Sequence, residues 1–450
     1  MTRLKNLWDR LLFRDKGILP TYRLVIYYSV FLIVLTIFSL WQFSWFFLGI
    51  ATLAMLALLS IDAFMLPSKK HIQVSREPNG ELERFEKQEM ILHMANLTNT
   101  HYDLRFVDDS PQSFQASYLK QTLGANQAIQ AHYTIQPHVR GNYQLNKVYL
   151  RVRTKWGLWE KQLTYSLPQE VKVIPNLSET RRYLENAQQY LLHEGIKVRK
   201  MRSGEGEFSK VRNYVVGDDP RNINWRQSAK LQELMTNEYE PEHGKYVTIL
   251  IDCGRMMGVE LEESNRLEKS IEAAITLATA ALDNGDHVSV IAFSKEIKAA
   301  VPSGRGLGHI HTILDAIYDL QVDPQESNYT LALQHAQTLQ RKRSMIILFS
   351  DMQSFANEDY PLFAMGKLRK KHLFVMLGIE DEWLKQQIAS SPDNVLQAME
   401  KSMAQKQSLF QREIANKWGS FGLPMLEAPA DKLAVTSVSK YVETLNRGLL

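Results

Sequence analysis

Tyr246-Val247-Thr248-Ile249-Leu250-Ile251-Asp252 and Ser344-Met345-Ile346-Ile347-Leu348-Phe349-Ser350-Asp351 are two nearly unbroken apolar runs, each ending in an acid. Neither run alternates, so neither reads as a strand with one wet face. Continuous apolar strands belong to sheets covered on both sides. The intervening chain supplies the cover. Asn265 to Leu282 carries apolar residues at helical spacing (Leu267, Ile271, Ala274, Ile275, Ala278, Leu282), and Asp283-Asn284-Gly285-Asp286 then turns the chain into the apolar run His287 to Phe293. Helical patterns follow over Ile310–Leu320, Thr330–Gln340 and Tyr360–Lys371. A further strand spans Leu373–Leu377, a long polar helix runs from about Pro392 to Trp418, and Asp431–Leu445 closes the chain. Alternating strands and helices predict a doubly wound α/β domain over 245–450. Sites in such sheets form outside the carboxyl ends of the strands. Asp252 and Asp351 stand there.

Upstream the period changes. Residues 68–180 hold short alternating runs (His71–Val74, Glu89–Met94, Asp103–Val107, Ala131–Ile135, Lys147–Val152) separated by turn residues. This pattern predicts a β-sandwich-like domain without catalytic spacing. Before it lie Leu24–Leu40, without charge, and Trp45–Leu66, with Asp62 alone. Each is long enough to cross a hydrocarbon core of about 30 Å. Residues 21–67 therefore read as a two-helix transmembrane hairpin turning at the aromatic link Trp41–Trp45. A second span follows at once and no small-x-small site is present, which favours a retained anchor over a cleaved signal. Arg3, Lys5, Arg10, Arg14, Lys16 and Arg23 precede the first span, and Lys69, Lys70 and Arg76 follow the second. Positive residues stay inside, so the N-terminus and everything after residue 67 are expected on the cytoplasmic side of the membrane. The leader, 1–20, reads either as an interfacial amphipathic helix or as a disordered basic segment.

The single cysteine, Cys253, excludes an intramolecular disulfide framework and a four-cysteine zinc site. A net charge of +4 over 450 residues gives no chain-wide nucleic-acid footprint. Basic clusters at 197–202, 341–343 and 367–371 read as solvated faces or lipid contacts, and would matter for nucleic acid only on one continuous face. No phosphate loop with its Lys is present; Ser303–Gly308 is glycine-rich and reads as a rim loop near the site. Cys253 could act as a nucleophile only if His287 or His309 approached it in space. Asp252, Asp351 and Thr330 could together offer oxygen ligands to a hard cation, or each could simply cap a helix.

These residues resemble a von Willebrand factor A domain. That family holds Mg²⁺ with a D-x-S-x-S motif, a later Thr and a later Asp. Asp252, Thr330 and Asp351 match three of these positions. Gly254 and Met256 stand at the two serine positions and offer no oxygen side chain, so the resemblance implies a degenerate site. Gly204 to Lys230 (GEGEFSKVRNYVVGDDPRNINWRQSAK) resembles the signature of the bacterial family called domain of unknown function 58. Within 181–244, Arg212, Tyr214, Gly217, Asp218, Arg221, Trp225 and Ser228 carry that pattern. They read either as a buried, charge-paired loop or as a docking surface. The resemblance implies a two-span anchor, a strand-rich middle and a degenerate A domain. It further implies work with a MoxR-type AAA+ ATPase and other membrane proteins, as an adaptor, substrate-presenting or assembly factor; the residues themselves point to no enzyme activity and no nucleic acid. The alternatives are a structural subunit without ligand-binding role, or a hydrolase.

Overall fold

The computed structural model describes residues 17–40, 45–78, 80–116, 119–185, 207–240, 244–262, 264–356 and 368–450. Residues 1–16 of the leader expected over 1–20, the link at 41–44, the basic cluster at 197–202, the start of the signature at 204–206 and most of the helix expected over 360–371 lie outside these residues. The chain divides into two compact units, Met1–Ile174 and Pro175–Leu450.

In the first unit, β1 (Ile18–Pro20) precedes two helices, α1 (Tyr22–Leu40) and α2 (Trp45–Phe64). Both are long and apolar enough to cross a membrane. Their side chains face outward: Trp45 is 85% exposed and Phe64 90%. So much contiguous apolar surface is untenable in water and at home in lipid. Nine strands follow: β2 (Ile72–Arg76), β3 (Glu81–Glu83), β4 (Gln88–Asn96), β5 (Tyr102–Asp108), β6 (Phe114–Ala116), β7 (Leu119–Leu123), β8 (Ala128–Pro137), β9 (Gly141–Thr154) and β10 (Trp159–Ile174). They form two sheets, ordered β1-β10-β9-β5-β7 with β3 beside β10, and β2-β4-β8-β6. Strict alternation in β5 sends Tyr102, Leu104 and Phe106 into one core with Met90, Leu92, Tyr133 and Val148.

Asp62, near the end of α2, is fully buried. It accepts from the Thr154 hydroxyl and from the backbone N–H groups of Leu158 (3.1 Å) and Trp159 (3.0 Å). The Trp159 indole donates to the Leu59 carbonyl at 2.9 Å. Thr21, just before α1, donates to the carbonyl of Leu158 at 3.0 Å. One acid inside an apolar run thus marks where the hairpin is bolted to the β9–β10 turn.

In the second unit, α3 (Ser178–Glu185) is followed by β11 (Glu207–Asn213), α4 (Trp225–Leu231) and β12 (Met235–Glu240). The main sheet comprises β13 (Tyr246–Asp252), β14 (His287–Phe293), β15 (Ile297–Arg305), β16 (Met345–Phe349), β17 (Leu373–Ile379) and β18 (Met425–Ala428). Its order is β15-β14-β13-β16-β17-β18, all parallel except β15. Interleaved helices are α5 (Arg266–Asp283), α6 (His309–Ile317), α7 (Tyr329–Leu339), α8 (Met352–Ala356), α9 (Glu382–Ala389), α10 (Val395–Ser420) and α11 (Leu433–Asn446). The two faces feed separate cores. Val247, Ile249 and Ile251 pack with α5, and Leu250, Ile346 and Leu348 pack with α7 and Trp418. Each such side chain contributes about 1.5–3 kcal/mol on burial.

The glycine-rich stretch sits elsewhere than expected. β15 reverses after β14, so Arg305 pairs with His287 and Gly304 with Val288. Ser303–Arg305 therefore lies at the amino end of β14, remote from the carboxyl rim. The tight turn around Ser294, whose N–H bonds the Glu296 carbonyl, causes the reversal.

Candidate functional site

β13 and β16 are direct neighbours, so Asp252 and Asp351 leave the same edge of the sheet side by side. Asp252 is 1% exposed, and its carboxylate is saturated. Oδ1 accepts from the Ser327 hydroxyl and from Gly254 N at 2.8 Å. Oδ2 accepts from Ser350 Oγ at 2.5 Å and Tyr329 Oη at 3.0 Å. Burial raises the Asp252 pKa, while these donors pull it down less strongly. Tyr329 is locked by edge-on contact with Phe355, ring centroids 5.1 Å apart. Burial, then the Asp252 charge, push its phenol well above the usual range.

Asp351 is held by other groups. Its Oδ1 takes Arg266 Nη1 at 2.5 Å, both side chains being nearly buried. Its Oδ2 accepts Ser354 N and Oγ, each at 3.0 Å. A guanidinium from the start of α5 thus neutralises the second acid.

A divalent cation needs carboxylate lone pairs that the protein has left open. Here four donors occupy Asp252, and Arg266 with Ser354 occupies Asp351. Gly254 shows how the first serine position is used. A Cβ there would collide with Ser327 Oγ and lie 3.2 Å from Asp252 Oδ1. The space that a serine side chain would fill is taken by the Ser327 hydroxyl. Thr330 does not line the Asp252 cleft; it lines an adjoining groove with Lys295, Gln325, Asn328 and Gln334, while Asn328 caps α7 by accepting Leu331 N at 2.9 Å. Among the described residues, no group of three His, Cys, Asp or Glu side chains is placed to hold a metal. The donor set does not fit Mg²⁺.

What remains at the rim is a cleft of about 320 Å³ lined by Asp252, Arg255, Met256, Glu326, Gln353 and Ser354, with Ser327 and Tyr329 at its base. Glu427 on the neighbouring β18 has its carboxyl raised to about 7 by burial and by the charges of Asp351 and Glu380. Cys253 is fully buried. His287 stacks on Tyr246 at the opposite end of the strand pair, and His309 Nε2 lies 3.1 Å from the Val288 carbonyl. Neither imidazole is near the thiol: β13 separates them by about 20 Å at 3.3 Å per residue.

The described part of the signature is a two-stranded hairpin, β11 against β12, spanned by a 3-10 turn at Pro220–Asn222 and by α4. Arg212 grips Asp218 bidentately at 2.8 Å, and Tyr214 Oη donates to the Asp218 carbonyl at 3.2 Å. Asp219 caps Arg221 N, Asn224 caps α4, and Ser228 Oγ accepts Met235 N at 2.9 Å. Gly217 has φ 113°, a backbone region reserved for glycine. All this order holds apolar residues outward. Trp225 is 69% exposed and Val216 97%, and Arg221 and Arg226 are exposed beside them. A buried loop is therefore the wrong reading of this segment: polar and ionic bonds fix the backbone, so the apolar groups are left free to point outward. Of the basic clusters, Arg341–Arg343 and Arg369–Lys371 are exposed side by side at the amino ends of β16 and β17, opposite the rim.

Sequence reasoning missed Ser327, Tyr329, Ser350 and Arg266. The signal was partly present. Ser327 and Tyr329 flank Thr330 in Ser327-Asn328-Tyr329-Thr330, and Ser350 adjoins Asp351.

A family profile described as "Protein of unknown function DUF58" matches residues 210–388. "Uncharacterized protein YeaD" of Bacillus subtilis (strain 168) is 25% identical over 179 residues, 39% of this chain and 42% of that protein. The match thus spans less than half of that relative's length. Among solved structures, the conserved hypothetical protein BatB from Bacteroides thetaiotaomicron is 17% identical. It covers 45% of this chain and 100% of its own, with a TM-score of 0.31. The PapD-like domain 7 of human CEP192 is 13% identical, covering 24% of this chain and 89% of its own, with a TM-score of 0.18. Both scores are too low to carry an argument.

Proposed function

We propose that this chain is a membrane-anchored adaptor without enzyme activity, which presents the signature hairpin and the neighbouring von Willebrand factor A-like domain to a protein partner. The observation that carries the reading is the exposure of Trp225 and Val216 on a frame of capped turns and a bidentate Arg212–Asp218 pair. Large apolar groups held rigidly in water are binding-site chemistry, since aromatic and Arg side chains dominate interface energetics. Cys253 is fully buried and remote from His287 and His309, which argues against nucleophilic catalysis. The saturated Asp252 argues against metal-bridged adhesion and for a metal-free contact. The hairpin of α1 and α2 would place the event at the cytoplasmic face of a bacterial inner membrane. The family resemblance directs the search to a MoxR-type AAA+ ATPase in assembly or maturation of a membrane or envelope complex, with no role for nucleic acid.

The test is co-purification of the full chain with the MoxR-type ATPase encoded in the same genome, in wild type and in Trp225→Ala plus Val216→Ser. Loss of capture at an unchanged melting temperature supports the reading. Undiminished capture by the variant removes the hairpin from the contact, and no capture by wild type removes this partner class.

A further inference from the structure

The outer face of the β1-β10-β9-β5-β7 sheet carries two adjacent cross-strand rows with opposite character. In one, Asp103 faces Arg153, which faces Glu160: the signs alternate. Arg153 Nε lies 3.5 Å from Glu160 Oε2. In the next row, Lys120 on β7 faces Arg105 on β5, which faces Arg151 on β9. Three cations stand directly opposite one another across three strands, and all are exposed. Like charges so placed destabilise a sheet. Glu160 approaches Arg151 Nε only to 3.6 Å through Oε1, and its carboxylate is shared with Arg153 through Oε2. No ion pair joins Arg105 or Lys120 to any acid among the described residues.

The row lines a concave pocket of about 670 Å³, walled by Val107, Leu119 and Tyr149 with no carboxylate. Its place matters. Thr154, which bonds Asp62 at the end of α2, is three residues from Arg151 on the same strand, about 10 Å away at 3.3 Å per residue. The polar headgroup layer extends roughly 5–8 Å beyond the hydrocarbon. Arginine and lysine side chains cover the remainder, snorkelling toward the phosphates.

We infer that Arg105, Lys120 and Arg151 form a headgroup site for an anionic phospholipid of the membrane that the hairpin spans. Two guanidinium forks and an ammonium match the acceptor geometry of a phosphate. Val107 and Tyr149 lie two residues beyond the cations on the side away from the Thr154 joint, so they flank the headgroup and not the acyl chains. Such a site would seat the sheet against the leaflet surface. The inference rests on the membrane reading of α1 and α2, and is independent of any protein partner.

The experiment uses the full chain in neutral-detergent micelles, with phosphatidylglycerol, phosphatidylcholine or inorganic phosphate added, and native mass spectrometry of retained lipid. The variant is Arg105→Gln, Lys120→Gln and Arg151→Gln. Wild type should retain at least one more phosphatidylglycerol than the variant, with an affinity difference on the order of 100-fold. Phosphatidylcholine should not distinguish them. Equal retention of phosphatidylglycerol overturns the site. Displacement of phosphatidylglycerol by equimolar inorganic phosphate overturns the lipid assignment in favour of a soluble phosphate. Because the variant removes repulsion, its melting temperature without lipid should equal or exceed that of wild type. Lys120→Gln alone gives the same comparison should the triple variant fail to fold. A failed membrane reading would appear separately, as a chain soluble without detergent.

Discussion

Replacing Asp252 by alanine separates a hydrogen-bonded hub from a metal site by the sign of its effect. In the structure, Asp252 accepts from Gly254 N, Ser327, Tyr329 and Ser350. Tyr329 Oη and Ser350 Oγ lie 2.9 Å apart, so these two can satisfy each other after the change. The Gly254 N–H and the Ser327 hydroxyl cannot. Each buried orphan costs about 1–3 kcal/mol, and the lost side-chain volume adds to this. Asp252→Ala should therefore destabilise the second unit by about 3–5 kcal/mol, a fall of roughly 10 °C in melting temperature. A metal site behaves oppositely. In metal-free buffer its carboxylates repel one another, so removing one costs little or stabilises, and only the metal response is lost. Thermal unfolding of the full chain in detergent, with EDTA or with millimolar Mg²⁺, reads both effects. A shift smaller than a couple of degrees in EDTA, or a wild type that Mg²⁺ stabilises by several degrees, would refute the hub.

Glu427 supplies a pH test. Its carboxyl is raised to about 7 from 4.5, chiefly by burial, so the folded chain binds its proton more tightly than the unfolded chain does. Stability at this group is fully present below about pH 4.5 and is lost as the pH rises through about 7. Glu427→Gln should then match wild type at pH 4 and exceed it at pH 8, by an amount on the order of 2 kcal/mol. Urea unfolding at the two values decides, and an equal gain at both would discard the cause given. Asp62→Ala should orphan the Leu158 and Trp159 amides and speed their hydrogen exchange by on the order of 100-fold. Unchanged exchange would mean that the clamp does not hold the turn.

Much of the fold was legible because burial imposes period. The unbroken runs at 246–252 and 344–349 could be nothing but strands covered on both faces, and the alternation in 103–107 assigned a one-sided sheet. The strand before Ser303 reads only weakly (Ile297-Lys298-Ala299-Ala300) and its reversal left no signal, and β18 escaped because four residues carry no period. The rim was half legible. Two acids ending adjacent strands announced a site, yet what they bind lies far along the chain. Arg266 is 85 residues from Asp351, and Ser327 is 75 from Asp252. No local spacing reports such closures. Trp225 misled for a related reason. Its size argues burial, but exposure depends on whether another element covers the hairpin, and a sequence window cannot see that.

The bolting of the hairpin has a mechanical corollary. β1 pairs with β10 just before α1 begins, and Asp62 seizes the same β9–β10 turn as α2 ends. The sandwich is therefore not hung from a string: both legs of the anchor enter one rigid joint. Membrane helices answer a thinner bilayer by tilting. With both helix ends held at one turn, tilt of α1 and α2 in a bilayer would become rotation of the sandwich itself. Were the two helices to span a bilayer, its thickness would thereby be written into the posture of the β-domain.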